Sequence, residues 1–304
     1  MIALLAPGQG SQTEGMLSPW LGLPGAADQI ATWSKGSGLD LARLGTTAST
    51  DEITDTAVAQ PLIVATTLLA HQELAKHAVF ENALDNLIVA GHSVGEIAAY
   101  SIAGVIAADD AVALAATRGA EMAKACAIEP TGMSAVLGGD EADVLNRIEE
   151  LDLVPANRNA AGQIVAAGRL TALEKLAEDP PARARVRALD VAGAFHTEFM
   201  TAALDGFAEA AASITTAEPI AMLLSNRDGK PVASAATGME TLISQLTHPA
   251  RWDLCNVTLR EHNVTAIVEL PPAGALTGIA KRELRGVTTR AVKSPADLDK
   301  LANL

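Results

Sequence analysis

Two rhythms of apolar and polar positions run along the chain. Short unbroken apolar runs, Met1-Ile2-Ala3-Leu4-Leu5-Ala6 and Leu87-Ile88-Val89-Ala90 first among them, stop at proline or glycine, and alanine-rich stretches with helical spacing lie between them. A run with no polar face is a strand covered on both sides, as in a parallel sheet sandwiched by helices. The spacing predicts a mixed helical segment over 25–44 and a long apolar helix opening at Ala59-Gln60-Pro61 and reaching about His71. Pro61 is placed at its first position, where a missing N–H is harmless. After Gly95 one helix runs to Gly104, and a second, N-capped by Asp109, runs through Arg118 to about Cys126.

Between Thr131 and Asp190 the elements shorten to strand 134–137, helix 141–150, strands 153–156 and 163–167, helix 171–178 and strand 185–189. This is the split βαβ, ferredoxin-like order. Beyond it come a loop and helix over 192–214, strand 219–224, helix 239–246 and the end of another at 257–261. A buried strand 265–270 stopped by Pro271-Pro272, a helix 276–284 and a last strand 286–292 complete the chain. The expected fold is α/β, with a large subdomain of residues 1–130 and 191–304 and an inserted small ferredoxin-like subdomain of residues 131–190.

Composition narrows the class. The 304 residues are 49% hydrophobic and only 3% aromatic, so the core must be built from Ala, Val, Leu and Ile. A formal net charge of −14 argues against a general nucleic-acid binder, which needs a basic footprint. Cys126 and Cys255 lack C-x-x-C spacing, which fits two buried thiols in a reducing compartment better than a disulfide framework or a zinc site. No basic signal-peptide start and no charge-free apolar run of about 18 residues is present, so a cytoplasmic protein without membrane association is expected.

The chemistry centres on Gly91-His92-Ser93-Val94-Gly95, a G-x-S-x-G pattern between an apolar run and a helical one. Strand, sharp turn and helix would push the Ser93 hydroxyl above the sheet edge as a nucleophile, with the Val94 N–H at the helix start facing a developing oxyanion. The loop Pro7-Gly8-Gln9-Gly10-Ser11-Gln12 lies beside that site or is an ordinary strand-to-helix turn. Of six histidines, His71, His77 and His262 read as solvated; His92 adjoins Ser93 but points away from it across such a turn, and could line the site. His196, in the apolar loop Val191-Ala192-Gly193-Ala194-Phe195-His196, is the candidate base. Asp190 is a weak candidate for a third member. Arg118, beside an apolar helical face, either pairs with a nearby carboxylate or clamps an acidic substrate. On residues alone an acyltransferase, a serine hydrolase and a partner-binding protein with Ser93 in a plain turn all stay open.

Gly8-Gln9-Gly10-Ser11-Gln12, Gln60-Pro61, Gly91-His92-Ser93-Val94-Gly95-Glu96, Arg118-Gly119 and Gly193-Ala194-Phe195-His196 together resemble the malonyl-CoA:acyl-carrier-protein transacylases and the acyltransferase domains of polyketide synthases. The resemblance runs from the first strand to Pro271-Pro272-Ala273-Gly274. It implies an α/β-hydrolase-like large subdomain, Ser93 as acyl acceptor, His196 as base and then acid, and Arg118 as clamp for the malonyl carboxylate. It further implies oxyanion donors at Gln9 and Val94, substrate contacts at His92 and Phe195, and a histidine-orienting backbone carbonyl at Arg251, where Pro249-Ala250-Arg251-Trp252 departs from the family's Pro-x-Gln-Trp. The implied partners are malonyl-CoA and acyl carrier protein, for a monomer needing no metal or bound cofactor in fatty acid synthesis. Lys281, Arg282, Arg285 and Arg183, Arg185, Arg187 are the basic clusters that could receive an acidic carrier.

Overall fold

In the computed structural model, which describes residues 1–77, 80, 86–301 and 304, the strands in chain order are β1 (Ile2–Ala6), β2 (Leu87–Gly91), β3 (Thr131–Gly138), β4 (Val154–Ala160), β5 (Gln163–Arg169), β6 (Ala184–Ala188), β7 (Met222–Leu224), β8 (Ala266–Glu269) and β9 (Thr288–Ala291). Residues 78–79, 81–85 and 302–303 of the range assigned to the large subdomain lie outside the described residues.

Five of these strands form a parallel sheet ordered β7-β2-β1-β8-β9. Successive residues alternate between two cores: Leu4, Ala6, Val89 and Leu223 pack on one side, and Ala3, Leu5, Ile88, Ala90 and Leu224 on the other. That double burial is why these strands read as unbroken apolar runs. A separate antiparallel sheet ordered β4-β5-β3-β6 carries helices Glu141–Glu150 and Leu170–Glu178 over a core of its own that includes Val136, Ile148, Ile164 and Leu176. The chain order strand-helix-strand-strand-helix-strand with this sheet order is ferredoxin-like. β4 of the small sheet meets the segment ahead of helix Trp252–Glu261 where the Arg158 N–H donates to the Ala250 carbonyl and the Ala250 N–H to the Ala156 carbonyl.

Local chemistry moves several expected boundaries. The long apolar helix is Thr56–Leu74, begun by the Asp55 side chain accepting from the Ala57 N–H, so Pro61 lies inside it rather than at its first position. Asp109 does not cap the helix Ala108–Cys126; Ala107 precedes that helix without a side-chain cap, and the Asp109 carboxylate instead accepts from the Trp33 indole N–H at 2.7 Å. His71 is half-buried rather than solvated, and burial pushes its pKa down to about 4. Cys255 is buried as expected and Cys126 half-buried.

Helices Thr56–Leu74 and Ala108–Cys126 pack so closely that a Cβ on Gly119 would lie 2.6 Å from the Thr56 carbonyl oxygen. This contact carries the preceding residue, Arg118, toward Gln60. Gly119→Ala should therefore lower stability by roughly 1–3 kcal/mol through overpacking against backbone. Gly36→Ala is the control: the glycine sits exposed in helix Ala26–Ser37 with nothing within 4 Å of the added carbon, and the change should raise stability by up to about 1 kcal/mol. Denaturant titration of the two variants checks both signs.

Candidate active site

β2 ends in a turn at Ser93, whose φ of 54 lies in the left-handed region, where a non-glycine residue is strained. The flanking glycines are required by close approach. A Cβ at Gly91 would fall 2.0 Å from the Gly95 carbonyl oxygen, and one at Gly95 would fall 2.3 Å from the Ala6 carbonyl oxygen of β1. Asn226, just after β7, pins this turn: its Oδ1 accepts from the Ser93 N–H at 2.8 Å and its Nδ2 donates to the Gly91 carbonyl at 2.7 Å.

His196 comes from the loop that returns the chain from the small sheet, and its Nε2 lies 2.8 Å from Ser93 Oγ. Its Nδ1 is 2.7 Å from the backbone carbonyl of Gln245, just past helix Ala235–Ser244. A carbonyl only accepts, so Nδ1 carries the proton and the Nε2 lone pair faces the serine hydroxyl. Burial, followed by the nearby Arg118 charge, drives the imidazole pKa down to about 3, outweighing the Gln245 hydrogen bond. The ring is a neutral base with a fixed tautomer.

Arg118 is fully buried, 1% exposed. Its Nη1 donates to Gln60 Oε1 at 2.7 Å and its Nη2 to Gln245 Oε1 at 2.8 Å, while Nη2 stands 3.5 Å from Ser93 Oγ. Its Nε has no partner among the described residues. Burial lowers its pKa to about 10, which leaves it a cation at neutral pH. Both direct partners are neutral amide oxygens, so the guanidinium can still receive a carboxylate.

The glycine-rich loop does lie against the site: a Cβ at Gly8 would be 2.6 Å from the His92 carbonyl oxygen. Among the described residues, neither the Gln9 nor the Val94 backbone N–H donates to a protein acceptor. The Gln9 side chain donates to Thr56 Oγ1 at 3.2 Å. Gln9 and His92 line a cleft of about 830 Å³ between the two sheets, with Asn159, Val165, Arg185 and Arg282 also on its walls. His92 Nε2 is 2.9 Å from Asn159 Oδ1 and the ring stands edge-on to Trp252, so His92 is a wall residue facing the small sheet. Phe195 is packed in the core and, like Ser93, Arg118 and His196 themselves, is not among the residues that line the cleft. Of the basic residues, Arg185 reaches the cleft from β6 of the small sheet and Arg282 from helix Ala275–Glu283, and Arg282 donates to Gln163 Oε1 at 2.6 Å; Arg183, Arg187, Lys281 and Arg285 are exposed.

Arg251 does not orient the histidine. The carbonyl on His196 Nδ1 belongs to Gln245, where the end of a helix leaves an acceptor free. The Arg251 side chain forms a two-point pair with Asp253 at 2.9 and 2.7 Å, and its N–H donates to the Asn226 carbonyl. Asp190 is exposed. Sequence reasoning missed Gln245, Asn226 and the buried Glu96. The available signals were faint: a polar residue directly behind Leu223-Leu224-Ser225, another inside Leu242-Ile243-Ser244-Gln245-Leu246, and an acid in a helix first turn, where a carboxylate is ordinary.

The acyl transferase domain family matches residues 4–296. The chain is 84% identical, over the full length of both chains, to the malonyl CoA-acyl carrier protein transacylase of Mycobacterium tuberculosis. The MCAT crystal structure from the same organism superposes with a TM-score of 0.97 at 83% identity, covering 100% of each chain. A malonyl-transacylase solved in complex with its holo type II PKS acyl-carrier protein superposes with a TM-score of 0.90 at 28% identity, covering 99% of each chain.

With His196 depressed to about 3, the base form persists far below the ordinary imidazole range. The rate of Ser93 modification by a neutral acylating reagent should therefore stay level as pH falls from 8 to about 5. A rate that halves near pH 6.5, the value of an unperturbed imidazole, would contradict this.

Proposed function

The chain belongs to the acyl transferase domain family and, within it, to the malonyl CoA-acyl carrier protein transacylases, and from that premise we propose that its Ser93 carries a malonyl group from malonyl-CoA to the phosphopantetheine thiol of an acyl carrier protein. The observation that carries the malonyl assignment is a buried guanidinium, held only by neutral oxygens, 3.5 Å from the nucleophile.

The chemistry follows from the geometry. Neutral His196 takes the Ser93 hydroxyl proton as Oγ attacks the thioester carbonyl. The Val94 and Gln9 N–H groups receive the oxyanion, and the C–S bond breaks as the imidazolium returns its proton to the coenzyme A sulfur. The acyl serine then meets the carrier thiol, which gives its proton to His196 and takes the acyl group by the reverse path. Nucleophile, base and oxyanion donors are all protein groups, so the sequence of steps needs neither a metal nor a bound cofactor. Arg118 pairs with the free carboxylate, which would otherwise be buried without water or a counter-charge. His92 lines the channel, and Phe195 acts from behind it, through its place next to His196. The chain works as a cytoplasmic monomer supplying extender units for fatty acid synthesis. Arg185 and Arg282, flanking the cleft, meet the phosphates of coenzyme A and of the carrier's prosthetic arm.

Brief incubation with malonyl-CoA followed by mass spectrometry should show one malonyl adduct on Ser93. Ser93→Ala should abolish it, and His196→Ala should slow its formation by roughly two to four orders of magnitude. An adduct persisting on the Ser93→Ala protein overturns the assignment.

Removing Arg118 should separate substrates. Arg118→Ala should reduce kcat/KM for malonyl-CoA by roughly two to four orders of magnitude, the consequence of stranding a buried charge at about 3–5 kcal/mol, while acetyl-CoA is spared. Arg118→Lys should recover only part, because an ammonium cannot make two parallel hydrogen bonds. Equal falls for both substrates would show that Arg118 holds the fold and not the carboxylate.

A further inference from the structure

Glu96 is 1% exposed in the first turn of helix Gly95–Ile102, and the steps above give it no role. Its Oε1 accepts from the Asn226 backbone N–H at 2.7 Å, and its Oε2 accepts from Gln245 Nε2. Gln245 thus stands between a buried acid and a buried base. Its Nε2 faces two groups that accept, the Glu96 carboxylate and the Ser93 carbonyl at 3.4 Å, and its Oε1 faces Arg118 Nη2, which can only donate. Turning this amide over would set its NH2 against the guanidinium. The Gln245 backbone carbonyl meanwhile holds His196.

Burial pushes the Glu96 carboxyl pKa up to about 8, against which the Asn226 N–H, the Arg118 charge and the Gln245 amide all act. The hydrogen bonds decide between the forms. Both oxygens already receive N–H donors, and an acid proton on Oε2 would meet the Gln245 NH2 that Arg118 turns toward it, so the hydrogen-bond geometry favours the carboxylate form against the burial.

We infer that Glu96 is a positioning residue for the acyl clamp: it fixes the direction of the Gln245 amide and supplies its counter-charge to Arg118 from one side chain away, so that the guanidinium is held without being neutralised. This rests on the malonyl reading of the site. A carboxylate placed directly on Arg118 would anchor it as well, but the incoming acyl carboxylate would then have to displace a buried ion pair. An amide oxygen anchors the fork by a weaker hydrogen bond and leaves the charge for the substrate. The ordering acid, amide, guanidinium, substrate carboxylate is what gives Glu96 a role in selectivity that packing alone would not.

The test uses the full chain and two variants, Glu96→Gln and the exchange Glu96→Gln with Gln245→Glu. Three quantities are measured: KM and kcat for malonyl-enzyme formation, the rate of Ser93 acetylation by p-nitrophenyl acetate as a neutral ester, and the melting temperature. In Glu96→Gln the new NH2 opposes that of Gln245, the amide turns over, and Arg118 loses an acceptor. The malonyl-CoA KM should rise about 10–100-fold, the scale of a hydrogen bond to a charged group, and the malonyl rate should fall at least tenfold relative to the neutral-ester rate. The exchange variant keeps the net charge and gives each donor an acceptor, but puts a carboxylate directly on Arg118. It should melt near the parent temperature and still show a raised malonyl KM. If Glu96 serves packing alone, KM and melting temperature recover together in the exchange variant. A parental malonyl KM in Glu96→Gln, or in the exchange variant, overturns the inference; should Glu96→Gln fail to fold, the exchange variant decides by the same criterion. A parent chain that reacts with the neutral ester at Ser93 but never takes a malonyl group would instead overturn the functional reading.

Discussion

A guanidinium without water is the constraint around which this molecule is arranged. Arg118 is buried at 1% exposure with two amide oxygens as its direct partners, and taking such an ion out of water costs several kcal/mol unless the surroundings compensate. The compensation comes from separate parts of the chain. Gln60 arrives on the helix Thr56–Leu74, which a bare Gly119 allows to pack closely, and Gln245 arrives at the end of helix Ala235–Ser244. Glu96 adds a carboxylate behind Gln245. The same cation then acts on its neighbours, because it is the second cause, after burial, that lowers the His196 pKa. A cation beside the nucleophile and part of the base's lowered pKa thus come from one buried residue.

The fold makes this possible by bringing backbone to backbone at the elbow. Gly91, Gly95 and Gly8 each sit where a Cβ would fall 2.0–2.6 Å from a carbonyl oxygen, so β1, the glycine-rich loop and the Ser93 turn are stacked without side chains between them. That stacking lays the glycine-rich loop on the His92 carbonyl and leaves Ser93 in a left-handed conformation held by Asn226. The small antiparallel sheet closes the other side, with Asn159 reaching His92 and Gln163 reaching Arg282. The cleft is therefore a product of two sheets, the smaller with a core of its own on one face, and neither sheet alone has both walls.

Much of this was legible in the residues because the signals were local. Short apolar runs stopped by proline or glycine read as strands buried on both faces, and β1, β2 and β8 are such runs. The change to short elements between Thr131 and Asp190 marks the second sheet within a residue or two at several boundaries, as at Glu141–Glu150 and Leu170–Glu178. Ser93 and His196 were found because a nucleophile turn and a lone histidine in an apolar loop are both anomalous in their own neighbourhoods. Local rules also mislead: proline suits a first helical position, so Pro61 reads as a helix start, whereas the cap is Asp55, whose carboxylate reaches the Ala57 N–H.

What was not legible depends on which polar groups meet across long separations. Gln245 reads as one more polar residue in a helix, yet it touches Arg118, Glu96, His196 and Ser93 at once. The resemblance of Pro249-Ala250-Arg251-Trp252 to the family's Pro-x-Gln-Trp stretch points to Arg251 for the orienting carbonyl, but that stretch serves packing here, with Trp252 edge-on to His92. The orienting group is a backbone carbonyl, which every residue possesses, so no side-chain pattern could single it out. It becomes identifiable only when helix Ala235–Ser244 is seen to end with an acceptor aimed at the buried imidazole. Side-chain identity reveals nucleophiles, bases and ions; the directions of the amides and carbonyls that make them work are properties of the fold, and those directions decide which tautomer and which charge the site presents to its substrate.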